Sequence, residues 1–307
     1  MNAIIINPGL MTTIQDISRD GYAHFGISAS GTADPIALQL GNYLLGNKIN
    51  SPSLEVTIIG PVIKFTKPAF IALTGSKFDS TINGVACEFN KKIFIEKGQT
   101  LNIGPTLEGA RCYLSIEGGF KIDSFLGATT THLSSGIGGY LGRSLRKEDI
   151  LKCGDYTKIT YNKNINVKYK VNKDIIRITR GLQSNIFSEN EWEKLLVSEY
   201  KVSNQSNRMG IRLKGDSQIK YADEILTEGI PLGAIQIPPS GFPIISFVEH
   251  QTTGGYPKIA NVISADLAAL GQLKPGDNIK FKLVDYKEAF LIKKEMNSFI
   301  DSFTAHD

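Results

Sequence analysis

Reactive side chains are densest in this sequence between residues 249 and 258. Within those ten positions lie a carboxylate, an amide, two hydroxyls, a phenol and an ammonium, with two glycines among them: Glu249, Gln251, Thr252, Thr253, Gly254, Gly255, Tyr256 and Lys258. The segment follows the apolar residues 244–248, which predict a buried strand, and a polar segment that emerges from such a strand often forms a site. The glycines would let a substrate approach the backbone. A structural turn needs no such set of groups, so we predict a functional site here.

Two arginines upstream of this segment add positive charge. Arg208 and Arg212 lie four positions apart, on either side of Gly210. On a strand, residues four apart share a face, so both guanidinium groups could bind one carboxylate or phosphate. The alternative is that both are surface residues at a strand edge. We predict that the two arginines and residues 249–258 together enclose a pocket for a small acid.

A glycine-rich loop in the first half of the chain is a weaker candidate. Residues 127–142 carry no Asp, Glu, Lys or Arg and contain several glycines, threonines and serines. Backbone N–H groups in such a loop can form an anion-binding nest. An ordered loop without a ligand is the alternative, and on this signal alone we favour it. Residues 12–16 and Arg19 lead to Asp34, which is explained as a helix cap because Pro35 follows it.

Several common catalytic signatures do not occur in the sequence. It contains no G-x-x-x-x-G-K-[ST] phosphate loop, no G-x-S-x-G elbow and no H-E-x-x-H motif. The four histidines are too dispersed for a local metal motif, so no metal site is predicted: His24, His132, His250 and His306. No Met-Lys-Met occurs, so the chain lacks the signature of a biotin carrier.

Charge and cysteine content indicate a soluble, cytoplasmic protein. Lys plus Arg minus Asp plus Glu is 34 − 30 = +4, spread over 307 residues, so neither nucleic acid nor a membrane is expected as a partner. Cys87, Cys112 and Cys153 are odd in number and widely spaced, which predicts inert core thiols in a reducing compartment. We expect no secretory signal and no membrane span.

The elements that position these residues are expected to be mainly strands. Glycine, with 30 residues, indicates many turns, and apolar residues alternate with polar ones at 101–103, 158–161 and 279–283. Residues 70–73 predict a buried strand. Helices are expected after Asp34, ending near Gly46, after the capping box Ser188-x-x-Glu191, and at the C-terminus on a stripe of apolar residues: Ala289, Ile292, Met296, Phe299 and Phe303.

The chain also contains signs of a duplication. A Gly-Gly-Tyr at 138–140 precedes Leu-Lys-Cys-Gly-Asp at 151–155, and a second Gly-Gly-Tyr at 254–256 precedes Leu-Lys-Pro-Gly-Asp at 273–277. Coincidence is the alternative, because Gly-Asp turns before strands are common. Residues 161–174 are rich in Lys and Asn and have no apolar face. We therefore predict two domains, residues 1–165 and residues 166–307.

Several motifs resemble those of a known family. Near the N-terminus, Thr-Ile-Gln-Asp at 13–16 with Arg-Asp-Gly-Tyr at 19–22 is similar to the family signature. In the second half, Asn-Arg-Met-Gly at 207–210 with Arg212, and Gln-Thr-Thr-Gly-Gly-Tyr-Pro at 251–257, follow its order. The chain thereby resembles, over roughly residues 10–285, the KipA family, which is also known as the C subunit of 5-oxoprolinase. This family is related to allophanate hydrolase subunit 2 and to the carboxyltransferase domain of urea carboxylase.

The resemblance implies a fold, partners and a reaction. The fold implied is mainly β, with two tandem cyclophilin-like β-barrel domains, a few short helices and a C-terminal helix. The partners implied are the A subunit of 5-oxoprolinase and its KipI-like B subunit, without which the chain is expected to be inactive. The reaction implied is ATP-dependent opening of the lactam ring of 5-oxo-L-proline to L-glutamate, with ATP and Mg²⁺ required by the complex. Two alternatives stay open: a component for carboxyl transfer, with biotin supplied in trans, or a non-catalytic module that binds a KipI-like partner.

The resemblance also suggests roles for the predicted site residues. Arg208 and Arg212 would bind anionic groups, together with the segment formed by Gly254, Gly255 and Tyr256. Gln251, Thr252 and Thr253 would orient the reacting amide, and Glu249 or Lys258 would handle protons or Mg²⁺-bound ligands. The sequence departs from the family pattern at three places: Glu249-His250 replaces Asp-Arg, Leu182 replaces Pro, and Gly271 replaces Ala. The first departure changes the charge beside the predicted site.

Overall fold

The computed structural model describes residues 2–154, 171–221 and 225–304. Most of its regular structure is β, and two compact units are present. Among the described residues, the first unit comprises 2–19, 30–154 and 303–304, and the second comprises 20–29, 171–221 and 225–302. The predicted fold class is therefore confirmed. The predicted domain boundary at 165 and the predicted strand at 158–161 lie outside the described residues, and both stay predictions.

The first unit is built from eleven strands and one helix. Its strands are β1 (Asn2–Asn7), β2 (Met11–Gln15), β3 (Ser53–Thr57), β4 (Val62–Phe65), β5 (Ala69–Gly75), β6 (Phe78–Ile82), β7 (Val85–Ala86), β8 (Lys92–Ile95), β9 (Thr100–Thr106), β10 (Arg111–Ile116) and β11 (Ile150–Lys152), and its helix is α1 (Pro35–Leu44). The strands form a six-stranded sheet in the order β11-β1-β4-β9-β6-β7 and a five-stranded sheet in the order β2-β3-β10-β5-β8.

The second unit contains a closed barrel. Its elements are β12 (Ile175–Arg180), α2 (Glu189–Val197), β13 (Tyr200–Val202), β14 (Gly210–Lys214), β15 (Glu228–Gly229), β16 (Ala234–Gln236), β17 (Ile244–Ser246), β18 (Thr253–Gly254), β19 (Lys258–Val262), α3 (Leu267–Gly271), β20 (Asn278–Leu283) and α4 (Tyr286–Thr304). Seven strands close in the order β12-β19-β16-β17-β14-β13-β20, and β15 pairs only with β18. The strand predicted at 244–248 is present, but the observed strand, β17, is shorter and ends at Ser246.

Alternation along the strands of the first unit separates an apolar core from a buried polar face. Leu54 of β3 and Leu114 of β10 belong to the core, to which both sheets contribute. Their neighbours Glu55 and Tyr113 point the other way, because successive side chains on a strand face opposite sides. Helix α1 covers this polar face, where the Thr74 hydroxyl donates a hydrogen bond to the Ala37 carbonyl at 2.6 Å. The polar face is therefore as deeply buried as the core.

A hydrogen-bonded network on this polar face holds the start of α1. Tyr113 donates its hydroxyl proton to Glu55 Oε2 at 2.7 Å and accepts a bond from the Asp34 N–H at 2.8 Å. The Ala33 N–H donates to the same Glu55 oxygen at 2.8 Å. Burial, and then the Glu55 charge, raise the pKa of Tyr113 well above its usual value. Asp34 accepts from the Ala37 N–H at 3.0 Å, which confirms the predicted helix cap.

The N-terminal motif fixes the glycine-rich loop of the first unit. The Arg19 guanidinium donates to the carbonyl oxygens of Phe125 at 3.0 Å and Thr130 at 2.8 Å. Asp16 Oδ2 accepts from both the backbone N–H and the hydroxyl of Thr129, at 2.6 and 2.8 Å. These bonds tie the motif to the loop through Asp16 Oδ2 and Arg19, while the other Asp16 oxygen, Oδ1, is buried and has no hydrogen-bond partner among the described residues. Burial raises the pKa of Asp16 in spite of the bonds from Thr129.

The other predicted helices are present, with one difference at a cap. Ser188 accepts from the Glu191 N–H at 3.4 Å, as the capping box predicts. The Glu191 carboxylate does not return the bond; it accepts instead from Lys194 Nζ at 2.6 Å and from the Lys220 N–H at 2.8 Å. Helix α4 matches the predicted C-terminal helix, and all five of the predicted apolar positions are buried or half-buried.

The cysteines have the properties expected of inert thiols. Cys112 and Cys153 are buried, Cys87 is half-buried, and none forms a disulfide. Burial raises the pKa of Cys87 to about 11 and that of Cys153 to about 12, so neither is a thiolate at neutral pH. Among the described helices, none has both the length and the apolar character required to cross a bilayer.

Packing inside the glycine-rich loop predicts different costs for two otherwise similar substitutions. Gly138 and Gly136 have φ angles of +66° and +65°, but a Cβ at Gly138 would lie 2.1 Å from the Thr130 carbonyl oxygen, whereas no described atom lies within 4 Å of a Cβ at Gly136. Gly136→Ala should lower the free energy of unfolding by about 1–2 kcal/mol because of backbone strain. Gly138→Ala should lower it by about 1–3 kcal/mol more because of overpacking. Thermal unfolding of both variants measures the difference, and equal midpoints would contradict the packing described here.

Candidate functional site

Residues 252–254 of the predicted site belong to a two-stranded ribbon beside the barrel. Strands β15 and β18 pair antiparallel, with Glu228 opposite Gly254 and Gly229 opposite Thr253. The Ile230 N–H extends the pairing by donating to the Thr252 carbonyl at 3.0 Å. The predicted residues 252–254 are thus held by the backbone of a segment that lies about 25 positions earlier in the chain, and Glu228 is placed beside them.

Lys258 is the most deeply buried of the predicted site residues. It begins β19, and its side chain is 1% exposed. Its Nζ lies 2.6 Å from Oε1 of Glu228, whose side chain is 38% exposed. Gln183 joins the two residues: its Nε2 donates to the same Glu228 oxygen at 2.5 Å, and its Oε1 accepts from the Lys258 N–H at 3.1 Å. We call Lys258, Glu228 and Gln183 the lysine cluster.

The ion pair in the lysine cluster is close. Among the described residues, Glu228 is the acid that pairs with Lys258, and its Oε1 lies 2.6 Å from Nζ. The Lys258 ammonium, helped by Gln183, holds the pKa of Glu228 below its usual value. Glu228 is therefore ionised at neutral pH, and the buried ammonium is balanced by one carboxylate.

The two predicted arginines do not converge on one site. Arg208 precedes β14 and is 3% exposed, and its Nε lies 2.5 Å from Oε1 of the equally buried Glu249. The Glu249 N–H also donates to the Arg208 carbonyl at 2.8 Å. Arg212 is exposed on β14, between the buried Ile211 and Leu213. The shared-face prediction was wrong because the strand begins only at Gly210, two residues after Arg208.

The remaining predicted residues lie on the outer part of the same segment. Gln251, Thr253, Gly255 and Tyr256 are exposed, and Thr252 and Gly254 are half-buried. A Cβ at Gly254 would lie 2.6 Å from Ile230 Cδ1, so a larger residue here would require the Ile230 side chain to move. The neighbouring His250 has a pKa lowered by burial, and its Nδ1 lies 2.8 Å from the Gln251 carbonyl.

Sequence reasoning missed two of the three residues in the lysine cluster. Glu228 and Gln183 lie 30 and 75 positions before Lys258, and no spacing rule links them to it. A signal that could have pointed to Glu228 is the pair Glu228-Gly229, which, like the motifs quoted above, is similar to the KipA family pattern. Gln183 follows Leu182, which is one of the places where this chain departs from the family pattern.

The described residues contain no preformed metal cluster. Among them, no three His, Cys, Asp or Glu side chains come together in a way that could hold a metal ion. The sequence also lacks a phosphate loop of the Walker type.

The fold and the ribbon site place the chain in a defined class of proteins. Residues 25–283 match the family model described as carboxyltransferase domain, subdomain A and B. Because this match covers most of the chain, the protein belongs to that family. The barrel, the β15–β18 ribbon and the lysine cluster all lie largely within the matched residues.

Individual relatives differ in how much of their length is similar to this chain. The chain is 34% identical to the C subunit of the 5-oxoprolinase of Haemophilus influenzae, over 94% of this chain and 93% of the relative. It is 33% identical to the C subunit of the Escherichia coli 5-oxoprolinase, over 97% and 96%. The solved structure of the Kluyveromyces lactis urea amidolyase matches 98% of this chain with a TM-score of 0.89 and 31% identity, but the chain spans only 20% of that enzyme.

Burial of the Arg208–Glu249 pair predicts unequal effects at the two arginines. Arg208→Ala leaves the buried Glu249 carboxylate without this partner and should lower the free energy of unfolding by about 3–5 kcal/mol. Arg212→Ala, at an exposed strand position, should change it by no more than about 0.5 kcal/mol. Urea denaturation of the two variants tests this, and small effects at both positions would contradict the buried pair.

The lysine cluster predicts a specific change in a carboxyl titration. In Lys258→Met the pKa of Glu228 should rise, because the ammonium that lowers it is gone. A depressed pKa contributes stability above the ordinary glutamate value, and this contribution is lost as the pH falls through the depressed value. NMR titration of ¹³C-labelled glutamate carboxyls measures the shift. Lys280→Met, at an exposed position on β20, is the matched control and should leave Glu228 unchanged.

Proposed function

We propose that this chain is the C subunit of an ATP-dependent 5-oxoprolinase, which opens the lactam ring of 5-oxo-L-proline to L-glutamate together with an A subunit and a KipI-like B subunit. The observation that carries the proposal is the end-to-end similarity to two relatives that bear the name of this C subunit, which spans at least 93% of each chain. Similarity to the urea amidolyase structure covers only a fifth of that enzyme.

The chemistry needs groups that the ribbon site can supply. A lactam is a poor electrophile, and opening it requires activation of the carbonyl oxygen and stabilisation of the charge that develops there. In this chain, the Gln251 amide and the Thr253 hydroxyl are exposed at alternate positions of the ribbon segment, with the half-buried Thr252 between them, and we assign the orientation of the cyclic amide to the two exposed groups. Arg208 and Glu249 neutralise each other, so we assign them to holding the segment that carries the ribbon. Activation by ATP belongs to the assembled complex in this proposal.

Carboxyl transfer is the second candidate, because one observation favours it. The fold matches the urea amidolyase structure with a TM-score of 0.89 over almost the whole of this chain. A site that accepts a carboxyl group from biotin carried by another protein would use the same ribbon. This candidate requires biotin and bicarbonate, whereas 5-oxoprolinase requires neither, so the two candidates predict different cofactor dependence.

Reconstitution with the other two subunits tests the proposal. We expect hydrolysis of ATP that depends on 5-oxo-L-proline only when this chain is combined with the A and B subunits, with L-glutamate as the product. The measurements are ADP and glutamate release, with each component omitted in turn. Turnover that requires biotin and bicarbonate would support carboxyl transfer instead. Full activity of the A and B subunits without this chain, together with its binding to the KipI-like partner, would indicate a regulatory module and overturn the proposal.

A further inference from the structure

Lys258 is an unusual place for a full positive charge. Its side chain is 1% exposed, and removing an ammonium from water costs several kcal/mol unless a well-placed anion compensates. The only described counter-ion is Glu228, which approaches to 2.6 Å but is itself 38% exposed. The other buried pair of this unit differs, because both Arg208 and Glu249 are almost fully buried there. A charge pair that served stability alone would be expected to follow the second pattern.

Two donors of the lysine cluster point at the same oxygen. Lys258 Nζ lies 2.6 Å from Glu228 Oε1, and Gln183 Nε2 donates to that atom at 2.5 Å. The position of this oxygen is therefore a place where an ammonium and an amide N–H converge. Gln183 is fixed there by its second bond, from the Lys258 N–H, at 3.1 Å. Any carboxylate oxygen at this position would receive both donors.

Two glycines on the ribbon have no steric reason within the described chain to be glycine. A Cβ added at Gly229 would have no described atom within 4 Å, and the nearest described atom to a Cβ added at Gly255 would be 3.6 Å away. Neither residue has a positive φ angle, so neither needs glycine for its backbone conformation. Gly229 directly follows Glu228 in the sequence. Gly255 directly follows Gly254, which is the residue paired with Glu228. Gly229 leaves the backbone of β15 bare, and Gly255 does the same immediately after β18, which leaves room for a ligand to lie against the ribbon.

We propose that the lysine cluster is a receptor for one carboxylate group of a small ligand, and that this group displaces Glu228 from Lys258. The exchange replaces one carboxylate by another, so it conserves the charge around the buried ammonium. The cluster contains one cation, which matches a monoanion better than the dianion of a phosphate. Glu228 can leave because its side chain is partly in water, whereas Lys258 cannot. The inference rests on the proposed function for the identity of the ligand, which is then 5-oxo-L-proline bound through its carboxylate.

The cluster predicts opposite effects for two substitutions. Lys258→Met should raise the KM for 5-oxo-L-proline by about 100-fold in the reconstituted complex, because truncating one member of a buried charge pair costs at least this much in binding. Glu228→Gln removes the internal competitor and should lower the KM several-fold, with little change in kcat. Lys280→Met, on the exposed side of the same barrel, is the control that should change neither constant.

Direct binding to the full-length chain separates this inference from the proposed function. The probes are 5-oxo-L-proline, its uncharged analogue 2-pyrrolidinone, and N1′-carboxybiotin, and binding is followed by NMR of the Lys258 side chain. Binding of 5-oxo-L-proline but not of 2-pyrrolidinone, tightened by Glu228→Gln, supports the receptor. Lys258-dependent binding of N1′-carboxybiotin alone supports the receptor but overturns 5-oxoprolinase as the function. An active complex in which neither substitution moves the KM overturns the receptor and keeps the function. Because Glu228→Gln retains Lys258, its effect can be read even if Lys258→Met fails to fold.

Discussion

The cost of keeping the Lys258 ammonium out of water is the constraint on which the second unit depends. Several kcal/mol must be recovered from a nearby anion, and the recovery requires three parts of the chain to meet. The β15–β18 ribbon brings Glu228 to the ammonium, and Gln183 binds both the carboxylate and the backbone of Lys258. Close approach also requires Gly181, where a Cβ would lie 2.4 Å from the Lys258 carbonyl oxygen. The local structure around β19 is thus built to hold one charge.

Charged groups are buried in three different ways in this protein, and the differences indicate their roles. Glu55 is fully buried; it accepts bonds from Tyr113 and from a backbone N–H, which fix the start of α1, and its other oxygen lies 3.4 Å from Nε of the buried Arg111. Glu249 is buried against Arg208, which joins two loops of the barrel unit. Glu228 alone of these acids keeps more than a third of its side chain in water. Because a half-exposed partner can be exchanged, the lysine cluster is the one best suited to bind a ligand.

The sequence predicted those features that depend on neighbours within a few residues. The cap at Asp34, the cap at Ser188 and the alternating strands β9 and β20 are local patterns, and the structure contains all of them. It predicted less of the site, because Glu228 and Gln183 meet Lys258 only through barrel closure and ribbon pairing. The prediction that Arg208 and Arg212 share a strand face was wrong for a similar reason. Where a strand begins is set by its pairing partners, which for β14 are β13 and β17.

The chain departs from the family pattern at two neighbouring residues, Glu249 and His250. Only the change at His250 alters the net charge of the segment. Glu249 keeps the carboxylate expected from the Asp of the family motif, and it uses that carboxylate to neutralise Arg208. His250 stands where the motif has Arg, and burial lowers its pKa, so it is uncharged at neutral pH. The segment before the ribbon therefore carries one positive charge fewer than the family pattern implies. With Arg208 neutralised and His250 neutral, Lys258 is the cation of the described segment that remains to bind an anion, which favours a ligand with a single negative charge.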